Sequence, residues 1–246
     1  MKMYSSQSNK KYWDQWNIRY SDVWKTTARQ IMSKKETDLI SAELKKHKPL
    51  SILDIGIGNG RILDILNRNS NAKAKIYGID ISGEMVKICQ SKFKNYHKIT
   101  NLKICDLSSQ ELPFKNKFDF ATSIRVLKYN ANWKKMIKRV FNSLNPEGVF
   151  IFTMPNKLSV SGLSGDTFSD NNSPIIYSNI LELKKVTSDT GFSGFEVLAF
   201  SKLPNFLYHM SNNRFFVKLL LSTETVLEKI LGQSLFGREL FVICAR

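Results

Sequence analysis

Cysteine is scarce in this chain of 246 residues. Cys89, Cys105 and Cys244 are odd in number and far apart, and no C-x-x-C occurs, so neither a disulfide framework nor a structural zinc site is supported. Free, buried thiols are the expectation. Histidine is equally scarce, with only His47, His97 and His209, which leaves few candidates for a histidine base. Six prolines and a 42% apolar composition exclude a disordered or fibrous chain. No run approaches the roughly 18 apolar residues of a membrane span. The opening residues, MKMYSSQSNKKYWDQW, carry no apolar segment of signal-peptide type, so a cytoplasmic location is expected.

Acidic residues are also few. The chain carries 37 basic and 21 acidic residues, a net charge of +16, and the first 150 residues hold 28 of the basic and 13 of the acidic ones. Such a field favours anionic partners. The lysines are mostly single and dispersed, the tightest group being Lys134, Lys135, Lys138 and Arg139, and there is no arginine-rich tail. That spread fits a compositional bias as well as it fits a binding surface.

What the chain has in quantity is alternation. LSILDIG, AKIYGIDIS, ITNLKICDL, KFDFATSI and VFIFTMPN read as strands, separated by helical stretches from about Asn59 to Asn69, in GEMVKICQSKFKNY and in NWKKMIKRVFNSLNPEG. The strand runs are rich in Ile, Leu and Phe throughout, as strands buried on both faces are. The expected fold is therefore α/β, Rossmann-like and doubly wound. Residues 34–47 read as a further helix. Upstream, Trp13, Trp16, Tyr20 and Trp24 recur at helical spacing. After the fifth strand, residues 157–174 read as a polar loop on the substrate side, followed by a helix in NILELKKVTSDTGF, a strand in GFEVLAFSKLP, a helix in NRFFVKLLLSTETVLEKILG and a last strand in RELFVICAR.

The chemistry concentrates at strand ends. SILDIGIGNGRILDIL places Gly56, Gly58 and Gly60 at alternate positions between a strand and a helix. The spacing is not the G-x-G-x-x-G of a dinucleotide fingerprint, and the G-K-[ST] ending of a P-loop is missing. Asp54, just before the glycines, would repel a pyrophosphate and suit an ammonium or sulfonium. Asp80 ends the next strand, 22 residues beyond Gly58, where a carboxylate can accept from both hydroxyls of a ribose. Asp106 ends the third, where it can accept from an exocyclic amine while Leu107 offers an apolar surface. Each acid also has a plain local use: Asp80 as a helix cap in DISGEM, Asp106 as a turn cap in DLSSQE.

ILDIGIGNGR, YGIDIS, CDLSSQELPF, FDFATSI and NSLNPEGVFIFTMPN together resemble the class I S-adenosylmethionine-dependent methyltransferases, most nearly the broad small-molecule group, over about residues 48–156. The resemblance implies a mainly parallel seven-stranded sheet with helices on both faces. It implies an N-terminal helical cap at 1–47 over the cofactor site and a core at 48–246. It implies S-adenosyl-L-methionine as cofactor, held by Asp54, Gly56, Gly58, Asn59, Gly60, Asp80, Ile81, Asp106, Leu107 and Ser123, with Tyr12 and Tyr20 contributed by the aromatic segment and the tryptophans left to the core. No metal is implied. The expected reaction is methyl transfer to a small molecule by direct in-line displacement, which needs alignment more than acid–base chemistry.

The chain departs from the common pattern at three places. Ile57 stands between the first glycines, PEG with Glu147 replaces PGG, and RVLKYNANW replaces the histidine pair after the fourth strand. Tyr129, His209 and Arg125 are the remaining candidates for substrate positioning, Arg125 having pairing with a structural acid as its alternative. Nucleic acid is disfavoured as acceptor, because no N-P-P-Y strand end is present and the fourth strand ends ATSIRV. In the helix at about 214–231, Phe216, Leu219, Leu220, Leu227, Ile230 and Leu231 form an apolar face. It packs on the sheet or against a second copy of the chain, or else borders an apolar, lipid-linked or glycan-pathway acceptor and touches an anionic membrane. A regulatory or scaffolding subunit that keeps the cofactor pocket without a competent acceptor site is the alternative function.

Overall fold

The computed structural model describes residues 9–15, 25–115, 117–159, 163, 175–203, 207, 213–231 and 236–246. Its sheet has seven strands: β1 (Ser51–Ile55), β2 (Lys75–Asp80), β3 (Ile99–Ile104), β4 (Phe118–Ser123), β5 (Leu144–Pro155), β6 (Gly194–Phe200) and β7 (Glu239–Ala245). Their order is β3-β2-β1-β4-β5-β7-β6. The first five run parallel, and β7 lies antiparallel between β5 and β6. The helices are α1 (residues 9–15), α2 (Thr27–His47), α3 (Arg61–Asn69), α4 (Gly83–Lys92), α5 (Trp133–Ser143), α6 (Ile180–Thr190) and α7 (Arg214–Leu231).

Strand alternation divides the buried side chains into two cores. Leu53, Ala121, Phe150 and Phe152 face α5 and α6, together with Trp133, Ile137, Val140 and Leu183. Their strand neighbours Ile52, Phe120, Val149 and Ile151 face the other way, toward α2, α3 and α4 through Ile40, Leu44, Leu63, Leu66 and Cys89. Both faces of the sheet are thus covered, which is why the strands lack polar alternation. The chain crosses from one face to the other between β1 and β4. Ligands gather at such a switch point, outside the carboxyl ends of the strands. All three cysteines are free and buried.

Several boundaries differ from the sequence reading. α2 begins at Thr27 rather than 34, since nothing from 27 to 33 interrupts a helix, and it closes on Lys48 in a left-handed conformation (φ 48°) whose amide donates to the Leu44 carbonyl. α5 stops at Ser143, and β5 already begins at Leu144. Pro146 has no amide for a helical bond. The ladder slips there, with Phe118 opposite Leu144 and Phe120 opposite Val149, so the residues between are accommodated as a bulge. Glu147 takes the left-handed backbone in this bulge (φ 64°).

Of the apolar face expected on α7, Phe216 and Leu220 are half-buried and Leu219 is exposed, while the side chains of Leu227, Ile230 and Leu231 lie outside the described residues. Val217 and Glu224 are buried, and Phe215 is 77% exposed. Polar partners set this facing: Glu224 accepts from the Lys202 amide at 2.7 Å and pairs with Lys35 of α2 at 3.2 Å. Among the described residues no helix is long and apolar enough to cross a membrane.

Candidate active site

The tips of β1, β2 and β4 and the turn after β3 surround one cleft, about 700 Å³ when the open space at its mouth is counted. Its floor is made by the glycine turn. Gly56, Gly58 and Gly60 all have positive φ (73°, 51° and 85°), which side-chain-bearing residues rarely adopt. Their reasons for being glycine differ. A Cβ on Gly56 would lie 2.2 Å from Val126 Cγ2, and one on Gly60 would lie 2.4 Å from the Phe93 ring. Those two allow the turn to pack against the β4 tip and against the end of α4. Gly58 is the glycine that lines the cleft between them, together with Gly56.

Asp80 fastens this turn. Its Oδ2 accepts from the Gly58 amide at 2.9 Å and its Oδ1 from the Ser82 amide at 2.9 Å, while Ser82 Oγ caps α4 through the Met85 amide at 3.2 Å. The helix-capping task considered for Asp80 therefore falls to Ser82. Asp80 lines the cleft with Ile81. Burial pushes its carboxyl up to about 6, against the two amide bonds. Each carboxylate oxygen retains a second lone pair for a hydroxyl donor.

Asp54 is placed differently from the expectation of a direct ligand contact. It is 1% exposed and lies beneath the turn rather than on the cleft wall. Its neighbours across the sheet are Gly78 and Thr122. Thr122 Oγ1 donates to Oδ1 at 2.7 Å, whereas Oδ2 is buried with no hydrogen-bond partner. Burial pushes this carboxyl up to about 7, with the Thr122 bond and the charge of Arg61 opposing. Asp54 thus sits one layer below the cleft. Ser123 is likewise fully buried at the β4 tip, its Oγ without a hydrogen-bond partner, and it does not line the cleft.

Asp106 combines both readings made of it. It lines the cleft, and it also organises the turn after β3, accepting from the Ser108 amide at 3.0 Å, Ser108 Oγ at 2.6 Å and Ser109 Oγ at 2.8 Å. Leu107 is buried beside it on the cleft wall. Asn59 and Gly60 do not line the cleft. Asn59 belongs to a shallow surface groove on the far side of the turn, and its carbonyl accepts from Lys92 Nζ at 3.3 Å.

On the opposite wall stand Arg125, Tyr129 and Asn130. The Arg125 guanidinium does not point freely at a substrate. Its Nε and Nη2 donate to Glu36 Oε1 at 2.9 and 2.7 Å, and the same carboxylate pairs with Arg61 at 3.0 Å. The structural acid was the correct partner for Arg125. Tyr129 receives the edge of Trp13 at 5.1 Å between ring centroids, and its carbonyl accepts from Asn9 Nδ2 at 3.0 Å. Asn9 and Trp13, both on α1, line the cleft.

Trp13, assigned to the core by the sequence reading, is thus the aromatic that reaches the site. Tyr12 packs edge-on against it at 5.0 Å and is not among the lining residues. Tyr20 and His209 lie outside the described residues, as does most of the 157–174 loop. Sequence reasoning also missed Met85, Cys105, Val126 and Met136. All four sit within a few residues of quoted motifs, but ordinary apolar side chains carry no signal separating a pocket wall from a core.

Comparison with known proteins gives the frame for this cleft. The methyltransferase-domain family matches residues 46–198, more than half of the chain. A Methanocaldococcus jannaschii protein known as uncharacterized protein MJ1252 is 36% identical over 148 residues, 60% of this chain and 51% of that protein. The ubiquinone/menaquinone biosynthesis C-methyltransferase UbiE of Wigglesworthia glossinidia brevipalpis is 36% identical over 98 residues, 39% of each chain. The chain thus spans about half the length of the curated relatives it matches, or less. Magnesium protoporphyrin IX methyltransferase of Synechocystis PCC 6803, solved with bound SAH, shares the fold at a TM-score of 0.66 and 16% identity, over 98% of this chain and all of that one. The chain belongs to the class I S-adenosylmethionine-dependent methyltransferase family.

Proposed function

We propose that this protein transfers a methyl group from S-adenosyl-L-methionine to an apolar small molecule. The observation that carries the reading is the Gly58–Asp80 bond, which sets a side-chain-free turn and a carboxylate side by side on one cleft wall at the switch point of the sheet. Within it, Gly56 and Gly58 would border the amino-acid end of the cofactor, Asp80 the ribose hydroxyls, and Asp106 with Leu107 the adenine. The buried Asp54 carboxylate, one oxygen of which has no partner, favours the cofactor's cationic end from below.

When bound, S-adenosyl-L-methionine supplies an electrophilic methyl group on sulfur. The chain's own work is then to align an acceptor with that methyl group and keep water away. Trp13, Tyr129 and Met136 give the cleft an apolar wall on the acceptor side, while α1 acts as a cap. The name of the quinone-pathway relative favours an acceptor of similar apolar character. The exposed Phe215, Leu219 and Val226 of α7, beside Lys218, favour a peripheral contact with an anionic membrane as its source.

The test is transfer of radiolabelled methyl from S-adenosyl-L-methionine into solvent-extractable product, with short-chain quinols, phenols and fatty acids as acceptors. Counts above a no-acceptor control for at least one class are expected, and they should be lost in Asp80→Ala. An intact cofactor-binding protein that labels no class in the panel would contradict the reading. Sedimentation with anionic liposomes at low salt tests the membrane contact, which fails if the protein stays in the supernatant.

A further inference from the structure

After β4 the chain makes the short 3-10 turn Leu127–Tyr129, and the backbone from Val126 to Asn130 carries the acceptor-side wall of the cleft. Every carbonyl of this stretch is engaged. Val126 accepts from the Tyr129 amide and from Asn130 Nδ2, both at 3.1 Å, and Leu127 from the Asn130 amide at 3.0 Å. Lys128 accepts from the Ile176 amide at 2.9 Å, Tyr129 from Asn9 Nδ2 at 3.0 Å, and Asn130 from the Trp133 amide at 3.1 Å. Upstream, Arg125 has a left-handed backbone (φ 65°), and its amide donates to Thr153 Oγ1 of β5 at 2.8 Å. The wall is thus tied down at both ends.

Two carboxamides in this wall are half used. Asn9, only 6% exposed, and the half-buried Asn130 both line the cleft. Each spends its amino group on a carbonyl of the turn, Tyr129 for Asn9 and Val126 for Asn130. Those bonds fix the facing of both planar groups, because a flipped carboxamide would set oxygen against oxygen. Among the described residues neither Oδ1 accepts a hydrogen bond, and neither is sealed off from accessible space. The space that both residues border is the cleft. Water can satisfy these oxygens while the cleft is open. An apolar acceptor that displaces that water must bring its own donor, or leave two buried acceptors unsatisfied.

We infer that Asn9 and Asn130 form a hydrogen-bond-accepting subsite that selects a neutral, hydroxyl-bearing acceptor, a phenol or an alcohol, over a carboxylic acid. This rests on reading the cleft as a methyl-transfer site. A hydroxyl donates to either Oδ1 and keeps its own lone pairs free, while the apolar part of the acceptor lies along Trp13 and Met136. A carboxylate has no proton to give at neutral pH and would meet the negative ends of both carboxamides. Arg125 does not offset this, since Nε and Nη2 already donate to Glu36 at 2.9 and 2.7 Å. The two asparagines are therefore specificity-determining residues, and their amino groups serve the turn while their oxygens serve the acceptor.

Titration of the protein saturated with S-adenosylhomocysteine, using 4-propylphenol, propylbenzene and 4-propylbenzoate at pH 7.5, tests the subsite. Wild type is expected to bind the phenol about tenfold more tightly than propylbenzene, and the benzoate no more tightly than propylbenzene. The double variant Asn9→Ala/Asn130→Ala should bring the phenol down to the level of propylbenzene, and each single variant part of the way. Propylbenzene makes no hydrogen bond, so its affinity reads any damage to the wall itself. The inference is overturned if the phenol has no advantage in wild type, if the benzoate binds as well as the phenol, or if the variants keep the advantage. It is equally overturned if the variants weaken phenol and propylbenzene by the same factor, because that is the signature of a role confined to holding the turn. Failure of S-adenosylhomocysteine to bind wild type would instead strike the methyl-transfer reading, and the same titrations without it still decide the role of the two asparagines.

Discussion

The Gly58 amide donates to Asp80 Oδ2 at 2.9 Å, joining the turn after β1 to the tip of β2. This bond makes one carboxylate serve two ends. It holds the glycine turn against the neighbouring strand, and it presents its remaining lone pairs to the cleft. A residue that binds a ligand here must also keep the loop in place. Substitutions at Asp80 should therefore affect affinity and loop order together.

Asp54 gives the clearest pH dependence. Its folded carboxyl is raised to about 7 from 3.8, so the folded state keeps a proton that the unfolded chain releases, and stability falls as pH rises through that window. Asp80, raised to about 6, acts in the same sense. Asp54→Asn should match wild type near pH 4 and exceed it above pH 7, by up to about 4 kcal/mol at 1.4 kcal/mol per unit. Urea denaturation at both pH values checks this, and a constant difference between the proteins would contradict it.

The three glycines should separate by assay. Gly60→Ala forces a Cβ toward the Phe93 ring in a left-handed backbone and should cost about 1–3 kcal/mol of stability, with little change in cofactor affinity once folded. Gly58→Val should lower affinity for S-adenosylhomocysteine by about tenfold or more, beyond any loss of stability. Melting temperature and calorimetric affinity, measured on both variants, distinguish the two.

Glu36 is buried between Arg61 and Arg125. Glu36→Gln leaves two guanidinium groups without their counter-charge, and a loss of about 3 kcal/mol is expected. Thermal unfolding reads it, and an unchanged melting temperature would show that water already compensates the arginines.

Glu147 occupies a left-handed position (φ 64°) where the family pattern has glycine. The strain on a residue with a Cβ exceeds the entropy that glycine adds to the unfolded chain, so Glu147→Gly should be neutral or stabilising by up to about 1 kcal/mol. Chemical denaturation with an unchanged slope tests this, and clear destabilisation would contradict the strain.

The sheet was legible because its strands are buried on both faces, so their apolar runs stand out against the polar connections. The glycine and aspartate end of the cleft was legible because these residues occur there at strand tips, where few other reasons call for them. Asp54 misled in part: its charge was read as a ligand contact, but the pleat turns it toward Thr122 and away from the cleft. Trp13 and Tyr12 were exchanged because helical spacing alone does not say which of two adjacent rings meets the sheet.

Calorimetric binding of S-adenosylhomocysteine to the wild-type protein and to Asp80→Ala tests the central claim most directly. Micromolar binding by wild type, weakened about 100-fold in the variant, is the expected result, corresponding to about 2.7 kcal/mol for two lost charge-assisted hydrogen bonds. Absence of binding by wild type, or equal affinity in a folded Asp80→Ala, would contradict the assignment of this cleft.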